Sequence, residues 1–456
     1  MHLRGFAVLV SLFCGIQPLI GSSAYLVSGP MLGHTTSTNA LLWVRATEPT
    51  RVAVRFGTNA ELSRARITMA TRLVTNTANA GEVLISGLQP KTRYYYTVLL
   101  DGKPALSQPY PSFTTPVPEG TETRVRFAFT SCVGFRGADS AAGYADMASR
   151  TNFDLLLMLG DNHYANTNNL AKQRQFYADQ RREPGWAHLT ARIPTYAIWD
   201  DHDYGPDNSD GTMKGKEVSL RAFREHWANP YYGETNNPGI YCRFSVGNVD
   251  FFLLDGRYHR SPNKDTNLLK KTMLGPAQLQ WLKRELITST APVKIIVSGS
   301  EFQSNGTVDS WASFKRERDE VLEYLHHAEL TGVLLISGDR HFTGAYQVKT
   351  NWIEVTSGPI GSSNADAKNV SEMFLNYSPT KSKFYCIYDI DTKVRPPAVT
   401  LEVYRVGEGL AQRRVFTWDE VNGKTKIKTL PVPGKKEPEK DKDKAKPKES
   451  EATSAD

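Results

Sequence analysis

Four short segments of the sequence carry side chains that bind metal ions, and each of them follows an apolar run. They contain Cys132, Asp161 with Tyr164, Asp201 with His202, and Asp339 with His341. Carboxylate, imidazole, thiolate and phenolate groups are all metal ligands, and a carboxylate shared by two ions holds them about 3.5–4 Å apart in two-metal hydrolases. Each residue also has a structural role open to it, because Asp caps helices and His bonds to backbone. The fourfold recurrence favours a metal centre.

The apolar runs predict the strands that position these side chains. Val333-Leu334-Leu335-Ile336 comes just before Gly338-Asp339, and further runs lie at 124–130, 153–159, 193–199, 249–254 and 293–297. Short continuous runs of this kind are typical of strands that are buried on both faces. Helical patterns follow several of the strands, at 139–150, from Gly275-Pro276 onward and at about 314–330. The expected fold class is therefore α/β, with a largely parallel core and the acidic side chains along one rim.

The amino-terminal part has a different pattern. Residues 25–118 contain short β-rich runs separated by turn signals, which predict a small antiparallel all-β sandwich. Residues 88–98 resemble the tyrosine-corner region of fibronectin type III domains, although an ordinary amphipathic strand also fits them. A Pro-rich linker follows at 114–120. We expect a fibronectin III/Ig-like domain before the α/β domain.

The two ends of the chain indicate export and a polar tail. Residues 1–24 have the pattern of a Sec-type signal peptide, without a twin arginine, and no later run is long enough for a transmembrane segment. The protein is therefore expected to be secreted, or periplasmic or extracellular. The net charge is +7. No Lys/Arg block is interleaved with aromatic residues in the body of the chain, so no specific nucleic-acid recognition is expected. Residues 434–456 are Lys, Glu, Asp and Pro with almost nothing apolar, which predicts disorder.

Export changes how the cysteines are interpreted. Without residues 1–24 the chain keeps Cys132, Cys242 and Cys386, an odd number in a compartment where disulfides form. Two of them could pair and leave one over, or all three could be buried thiols.

The rim segments resemble a known family. Gly160-Asp161-x-x-Tyr164, Asp200-Asp201-His202-Asp203 and Gly338-Asp339-x-His341 are similar to blocks of the alkaline phosphatase D family, which lies within the calcineurin-like metallophosphatases. Supporting blocks occur in the same order at 254–260, 273–282 and 309–318. The resemblance spans roughly 124–361. It implies a catalytic domain over 124–430, built as an α+β-type metallophosphatase sandwich of β-sheets flanked by helices.

The resemblance also implies an iron(III) site. Its ligands would be Cys132, Asp161 and Tyr164, together with either Asp339 or His341. If Cys132 binds the metal, the other two cysteines are free to pair.

One or two further divalent ions are implied as well. Calcium is the ion of the best-known members, with Mn or Zn as alternatives, and the ligands would be Asp161, Asp201 and whichever of Asp339 and His341 iron does not take. A carboxylate at Asp201 suits a hard cation such as calcium. His202 would bind or protonate the phosphate rather than bind metal. Asp161 and His202 are thus the predicted catalytic residues.

The sequence departs from the family pattern at several positions. His163 stands between Asp161 and Tyr164; it is an additional candidate ligand, with an exposed side chain as the expected alternative. No His appears at 298–303, where Glu301 and Gln303 are weak substitutes. Arg340 could point toward the phosphate or into the flank of the sheet.

These observations predict an exported metal-dependent phosphoric ester hydrolase. Its substrate would be a small phosphate ester or phosphodiester. A non-catalytic extracellular binding protein on a degenerate phosphatase fold is an alternative from another class. A phospholipid or teichoic acid phosphodiesterase would differ only in the substrate cleft, which the sequence does not define.

Overall fold

The computed structural model describes residues 24–135, 137–150, 152–303, 307–365, 372–378 and 381–429. The predicted signal peptide, apart from Ala24, and the predicted tail at 434–456 lie outside the described residues.

The amino-terminal part is an all-β sandwich. Its nine strands are β1 (Leu26–Thr35), β2 (Asn39–Ala46), β3 (Arg51–Gly57), β4 (Arg66–Ile67), β5 (Thr71–Arg72), β6 (Ala80–Ser86), β7 (Arg93–Leu100), β8 (Lys103–Pro104) and β9 (Ser112–Thr114). One sheet has the order β1-β2-β6, and the other has the order β4-β3-β7-β8 with β5 on β3 and β9 on β7. Alternate residues such as Leu42, Val44, Val52 and Val54 fill the space between the sheets. The β-rich runs predicted over residues 25–118 are confirmed as strands.

Strands and helices are mixed in the rest of the chain. The strands are β10 (Arg124–Thr130), β11 (Leu155–Leu159), β12 (Thr195–Ile198), β13 (Cys242–Val246), β14 (Val249–Leu253), β15 (Val293–Ser298), β16 (Val333–Ser337), β17 (Gly344–Val348), β18 (Trp352–Thr356), β19 (Met373–Asn376), β20 (Phe384–Asp391), β21 (Ala398–Arg405) and β22 (Gly409–Phe416). The helices are α1 (Ala141–Arg150), α2 (Leu170–Arg181), α3 (Pro184–Thr190), α4 (Asp201–Tyr204), α5 (Lys216–His226), α6 (Pro276–Thr288), α7 (Lys315–His327) and α8 (Trp418–Val421).

These strands form two mixed sheets, as the family resemblance implied, rather than the largely parallel core that the apolar runs predicted. The six-stranded sheet has the order β12-β11-β10-β20-β21-β22, and the seven-stranded sheet has the order β13-β14-β15-β16-β18-β17-β19. β10, β11 and β12 are parallel, as are β14, β15, β16 and β18, whereas the other pairings are antiparallel. The predicted parallel strands exist, but they are divided between the two sheets.

The two sheets pack face to face, and helices cover the outer face of the seven-stranded sheet. Phe127 of β10 meets Phe251 of β14 edge to face, with 5.1 Å between ring centroids. In β16, Leu334 and Ile336 face the core between the sheets, and Leu335 packs with residues of α6 and α7. Successive side chains of a strand point to opposite faces, so a strand buried on both faces reads as one continuous apolar run.

Direct hydrogen bonds join the amino-terminal sandwich to the rest of the chain. The Trp43 indole donates to the carbonyl of Glu225 at 2.8 Å, and the Tyr96 hydroxyl donates to that of Ala191 at 2.7 Å. The His34 amide donates to the carbonyl of Ala228 at 2.7 Å.

The structure decides between the two alternatives that the sequence left open for the cysteines. Cys132, Cys242 and Cys386 are all buried and none of them is in a disulfide. The pairing of Cys242 with Cys386 is therefore wrong, and the alternative of three buried thiols is confirmed. Cys242 lies in β13, the edge strand of the seven-stranded sheet, and Cys386 lies in β20, an inner strand of the six-stranded sheet. Within the residues that the structure covers, no helix is long and apolar enough to cross a membrane.

Candidate metal centre

The predicted ligands lie where the carboxyl ends of four strands meet. Cys132 follows β10, Asp161 follows β11 and Asp201 follows β12, while Asp339 follows β16 of the opposite sheet. Close approach of the two sheets here needs a glycine, because a Cβ on Gly338 would lie 2.6 Å from the carbonyl oxygen of Leu159.

The turns after these strands use a backbone conformation that is rare for residues with a side chain. The φ angles are 59° at Cys132, 52° at Asp161, 66° at Asp339 and 51° at His341. Positive φ outside glycine costs about 1 kcal/mol or more and is concentrated at functional sites. Four of the six predicted metal ligands therefore sit on strained turns, which the packing of the two sheets must hold in place.

One group of ligand atoms surrounds the Asp161 carboxylate on the side of Cys132. The Cys132 thiol donates to Asp161 Oδ2 at 3.4 Å, and the Tyr164 hydroxyl donates to the same oxygen at 3.2 Å. The Tyr164 hydroxyl also lies 3.0 Å from His341 Nε2. One ligand atom each from Cys132, Asp161 and His341 lie within 4.8 Å of one another.

Two further groups continue from Asp161 across the rim. Ligand atoms of Asp161, Asp201 and His202 lie within 4.8 Å of one another, as do those of Asp200, Asp201 and Asp339. Asp161 thus belongs to the first and second groups, and Asp201 to the second and third. His341 therefore belongs to the group that contains Cys132, and Asp339 belongs to the group with Asp200 and Asp201 at the opposite end of the cluster.

His202 lies over the ring of Tyr164 at the edge of this cluster. The two rings stack with 4.1 Å between centroids and 28° between planes. His202 Nδ1 donates to Asn166 Oδ1 at 2.5 Å, and Nε2 lies 3.7 Å from Asp207 Oδ1. Apart from the contact with Asp207, Nε2 has no partner within the described residues. The family resemblance implies that His202 meets the phosphate, and the second group also allows it to bind a cation.

The clustering of carboxylates opposes their ionisation. Burial, followed by repulsion from Asp200 and Asp201, raises the pKa of Asp161 and of Asp339 well above the ordinary value. Burial and the Asp161 charge raise the pKa of the Cys132 thiol and of the Tyr164 phenol in the same way. The protein alone thus provides an acidic, thiol- and phenol-bearing cluster whose charged form needs cations.

The side-chain oxygens fit bound cations. Asp161 Oδ1, Asp200 Oδ2 and Asp201 Oδ1 are buried without a hydrogen-bond donor. A buried carboxylate oxygen without a partner is costly, and a metal ion supplies the missing interaction. Carboxylates suit hard divalent cations, and thiolate with phenolate suits a trivalent iron, so the donor set matches the groups implied by the sequence.

Asp200 and Arg257 are functional candidates that the sequence interpretation left out. Arg257 Nε donates to Asp200 Oδ1 at 2.6 Å, and another nitrogen of Arg257 donates to Asp309 Oδ2 at 2.5 Å. The same guanidinium lies 3.7 Å from Asp201. Burial acts to raise the pKa of Asp201, but the positive charges of Arg257 and His202 outweigh burial and lower this pKa to about 2. Both residues lie in segments that resemble the family, Asp200 in Asp200-Asp201-His202-Asp203 and Arg257 at 254–260. That resemblance is the sequence signal that could have identified them.

His163 differs from its expected exposure. Its side chain is 2% exposed and packs edge to face against Tyr177, with 4.2 Å between ring centroids. His163 Nδ1 accepts from the Ala165 amide at 3.3 Å. The expectation of an exposed side chain is wrong, because α2 covers this turn. His163 is not in a ligand group among the residues that the structure describes.

Arg340 and Glu301 form an ion pair. Arg340 lies 3.0 Å from Glu301, and its guanidinium stands 5.3 Å above the ring of Phe342. The partner of Glu301 is thus an arginine. In the described part of the chain neither Glu301 nor Gln303 joins the candidate ligands.

Comparison with known proteins identifies both parts of the chain. The model of the PhoD-like phosphatase family matches residues 127–385, and that of a domain of unknown function (DUF7800) matches residues 23–118. Alkaline phosphatase D of Bacillus subtilis is 25% identical over 335 residues, which cover 62% of this chain and 57% of that protein. Purple acid phosphatase 23 of Arabidopsis thaliana is 25% identical over 329 residues, which cover 68% of this chain and 66% of that protein.

Solved structures show the same fold. A structure of PhoD superimposes with a TM-score of 0.68 at 19% identity, covering 92% of this chain and 95% of that one. A purple acid phosphatase from yellow lupin (Lupinus luteus) seeds gives a TM-score of 0.61 at 14% identity, covering 85% and 72%. The motif resemblance is confirmed by a family match that spans more than half of the sequence, and the chain belongs to the PhoD-like phosphatase family.

Proposed function

We propose that the chain is an exported, metal-dependent phosphoric ester hydrolase that acts on a phosphodiester or phosphomonoester. One observation carries the proposal: the Asp161 carboxylate belongs to two adjacent groups of potential ligand atoms, one with Cys132 and His341 and one with Asp201 and His202. A carboxylate shared in this way is the arrangement that holds two ions at the spacing needed for in-line displacement at phosphorus.

The first group suits Fe(3+), and the carboxylates beyond it suit one or two Ca(2+), with Mn or Zn as alternatives. Cys132, Tyr164, Asp161 and His341 would hold the iron. Asp161, Asp201 and Asp339 would hold the divalent ions. The buried oxygens Asp161 Oδ1 and Asp201 Oδ1, neither of which accepts a hydrogen bond, support this assignment.

Bound ions would lower the pKa of a water nucleophile and neutralise charge on the phosphate oxygens. The chain's own contribution is to place ligands and move a proton. His202 Nδ1 donates to Asn166, so Nε2 carries a proton only in the imidazolium form. That proton can pass to the leaving alkoxide, which makes His202 the general acid. The stacked Tyr164 ring fixes the plane of the imidazole during the transfer.

The domain assignments belong to the same proposal. Residues 1–24 would be the signal peptide, 124–430 the catalytic domain and 434–456 a disordered tail. Residues 25–118 would be a fibronectin type III-like domain. The sandwich supports this assignment, as does the Tyr94 hydroxyl, which accepts from the Gln89 amide at 2.9 Å as in a tyrosine corner.

The test is turnover of bis(p-nitrophenyl) phosphate and p-nitrophenyl phosphate by protein whose metal content has been measured. We expect hydrolysis of at least one ester, loss of it in Asp161→Asn, and unchanged turnover in Asp419→Asn, whose side chain is 60% exposed at a surface ion pair. Protein that retains its metals but hydrolyses neither ester would contradict the proposal and favour a non-catalytic binding protein.

A further inference from the structure

The loop at residues 261–272, named here the docking loop, presents two leucines to solvent. The side chain of Leu268 is 66% exposed and that of Leu269 is 82% exposed. Among the residues that the structure describes, no other two consecutive large aliphatic residues are both exposed. A pair of large aliphatic side chains at the tip of a loop is unfavourable in water and calls for a partner that buries it.

The docking loop is a built structure rather than a loose excursion. Its base is closed by the Ser261 amide, which donates to the Thr272 carbonyl at 2.8 Å. At its tip the amides of Lys270 and Lys271 donate to the Asn267 carbonyl at 3.0 and 2.9 Å, and the Leu268 amide donates to the Thr266 carbonyl at 2.9 Å. Internal bonding of this kind is what a loop needs when its tip leaves water, because backbone groups otherwise lose their partners.

Lysines flank the leucines in the sequence, and the loop also holds one carboxylate, Asp265, which accepts from the Asn267 amide at 2.9 Å. Lys264 and Lys270 are exposed on either side of the pair. Lys271 is turned inward: its Nζ donates to the Asn263 carbonyl at 2.7 Å and stands 4.7 Å above the ring of Phe314. The loop thus offers an aliphatic tip between two lysines that form no ion pair with any residue that the structure describes.

A short series of direct contacts links the docking loop to the metal centre. Asn263 Nδ2 donates to Asp309 Oδ1 at 2.6 Å, and Asp309 Oδ2 accepts from Arg257, which also holds Asp200. Val308, beside Asp309, is 73% exposed. A third aliphatic side chain therefore stands on the segment to which the docking loop is bonded.

We propose that the docking loop seats this chain on a bilayer surface that contains anionic phospholipids. Leu268 and Leu269 would enter the boundary between headgroups and acyl chains, while Lys264 and Lys270 would meet lipid phosphates. A protein partner fits less well. Stable protein interfaces bury about 800 Å² per side and rely on aromatic and arginine anchors, neither of which two or three isolated aliphatic tips provide.

This inference goes beyond the proposed hydrolase activity and does not depend on it, because binding is measured without turnover.

The first test is co-sedimentation of the full chain with vesicles of phosphatidylcholine, either alone or in equal parts with phosphatidylglycerol. We expect binding to the anionic vesicles, reduced about tenfold or more by Leu268→Ser with Leu269→Ser. Lys264→Gln with Lys270→Gln should weaken binding by about fivefold per lysine. Ile287→Ser is the matched control, because Ile287 is 54% exposed on α6 and should not matter.

The second test locates the contact, so that binding through another segment is recognised. Leu269→Cys is labelled with an environment-sensitive nitrobenzoxadiazole dye, which is selective within the described chain because Cys132, Cys242 and Cys386 are buried. Labelled unsubstituted protein gives the background. A blue shift on adding anionic vesicles supports the proposal. Vesicle-bound protein with an unshifted dye overturns it, as does a lipid-independent dimer that the leucine substitutions abolish.

Discussion

Tyr164 and His202 stack on each other, with 4.1 Å between ring centroids and 28° between ring planes. The Tyr164 hydroxyl lies 3.2 Å from Asp161 Oδ2 and 3.0 Å from His341 Nε2. Tyr164 therefore has two proposed roles. Its hydroxyl would bind iron, and its ring supports His202, the proposed general acid. Substitutions that keep the ring and remove the hydroxyl separate the two functions.

Replacement of Asp161 by Asn should abolish turnover and lower the content of both kinds of metal together. Asp161 is shared by two ligand groups, and its φ of 52° is tolerated by Asn better than by most residues, so the backbone should be kept. Elemental analysis and ester hydrolysis on the same preparation check this. Unchanged turnover would refute the site.

Replacement of His202 by Gln should lower kcat by about 10²–10⁴-fold, the usual contribution of a general acid, and leave the metal content nearly intact. A larger effect is expected for substrates with poor leaving groups, since these need the proton most. Metal analysis is the decisive measurement, because His202 is within reach of Asp161 and Asp201. Loss of one metal equivalent would make His202 a ligand instead.

Replacement of Tyr164 by Phe should remove any visible tyrosinate-to-iron absorbance while the ring keeps its stack on His202. The phenolate is the group that would transfer charge to iron, and only its oxygen is lost. Absorbance spectra of wild type, Tyr164→Phe and Tyr25→Phe give the comparison, because Tyr25 is 67% exposed and remote from the ligand groups. An identical spectrum in all three proteins would place iron elsewhere.

Replacement of Arg257 by Met should destabilise the fold by about 3–5 kcal/mol, the cost of leaving a buried partner charge uncompensated. Arg257 and Asp200 are fully buried, and the guanidinium also holds Asp309. Arg395→Met is the control, since the Arg395 side chain is 78% exposed and should matter by no more than about 1 kcal/mol. Denaturant unfolding of the three proteins measures the difference, and equal losses in both variants would contradict the ion-pair argument.

Glu354 should make stability depend on pH in a defined direction. Burial, with the charge of Glu301, raises the pKa of Glu354 from 4.5 to about 8. The native state then holds the proton to higher pH than the unfolded state does, so this contribution is fully present below pH 4.5 and is lost as pH rises to about 8.

Glu354→Gln tests this by removing the titration. We expect the fall in the free energy of unfolding across that interval to shrink by about 2–5 kcal/mol, whereas Glu323→Gln at an exposed position of α7 should leave it unchanged. A wild-type curve that rises with pH across the interval would have the wrong sign.

Much of the local structure and of the ligand set could be predicted from the sequence. The run Val333-Leu334-Leu335-Ile336 predicted β16, and the acids after β11, β12 and β16 lie together as the rim argument required. Helices α2 and α5 and the antiparallel strands β20–β22 were not predicted. The helices are rich in polar residues, and the strands are stabilised mainly by the neighbours with which they pair.

The burial of His163 and the pairing of Asp200 with Arg257 depend on distant segments and could not be predicted from neighbouring residues. His163 looked exposed because its sequence neighbours are polar, and α2, which begins seven positions later at Leu170, covers it. Asp200 looked like one of several acids, and its partner Arg257 is 57 positions away.

The sequence by itself determined the strands that carry the candidate ligands, the turns after them and the chemical identity of the ligands, because apolar periodicity and side-chain chemistry are properties of short segments. Only the tertiary structure decided that the strands divide between two sheets, that three cysteines stay unpaired, and that His341 lies with Cys132 while Asp339 lies with Asp200 and Asp201. These outcomes depend on which distant segments pack against each other, and packing is decided by the whole core rather than by any one stretch of the chain.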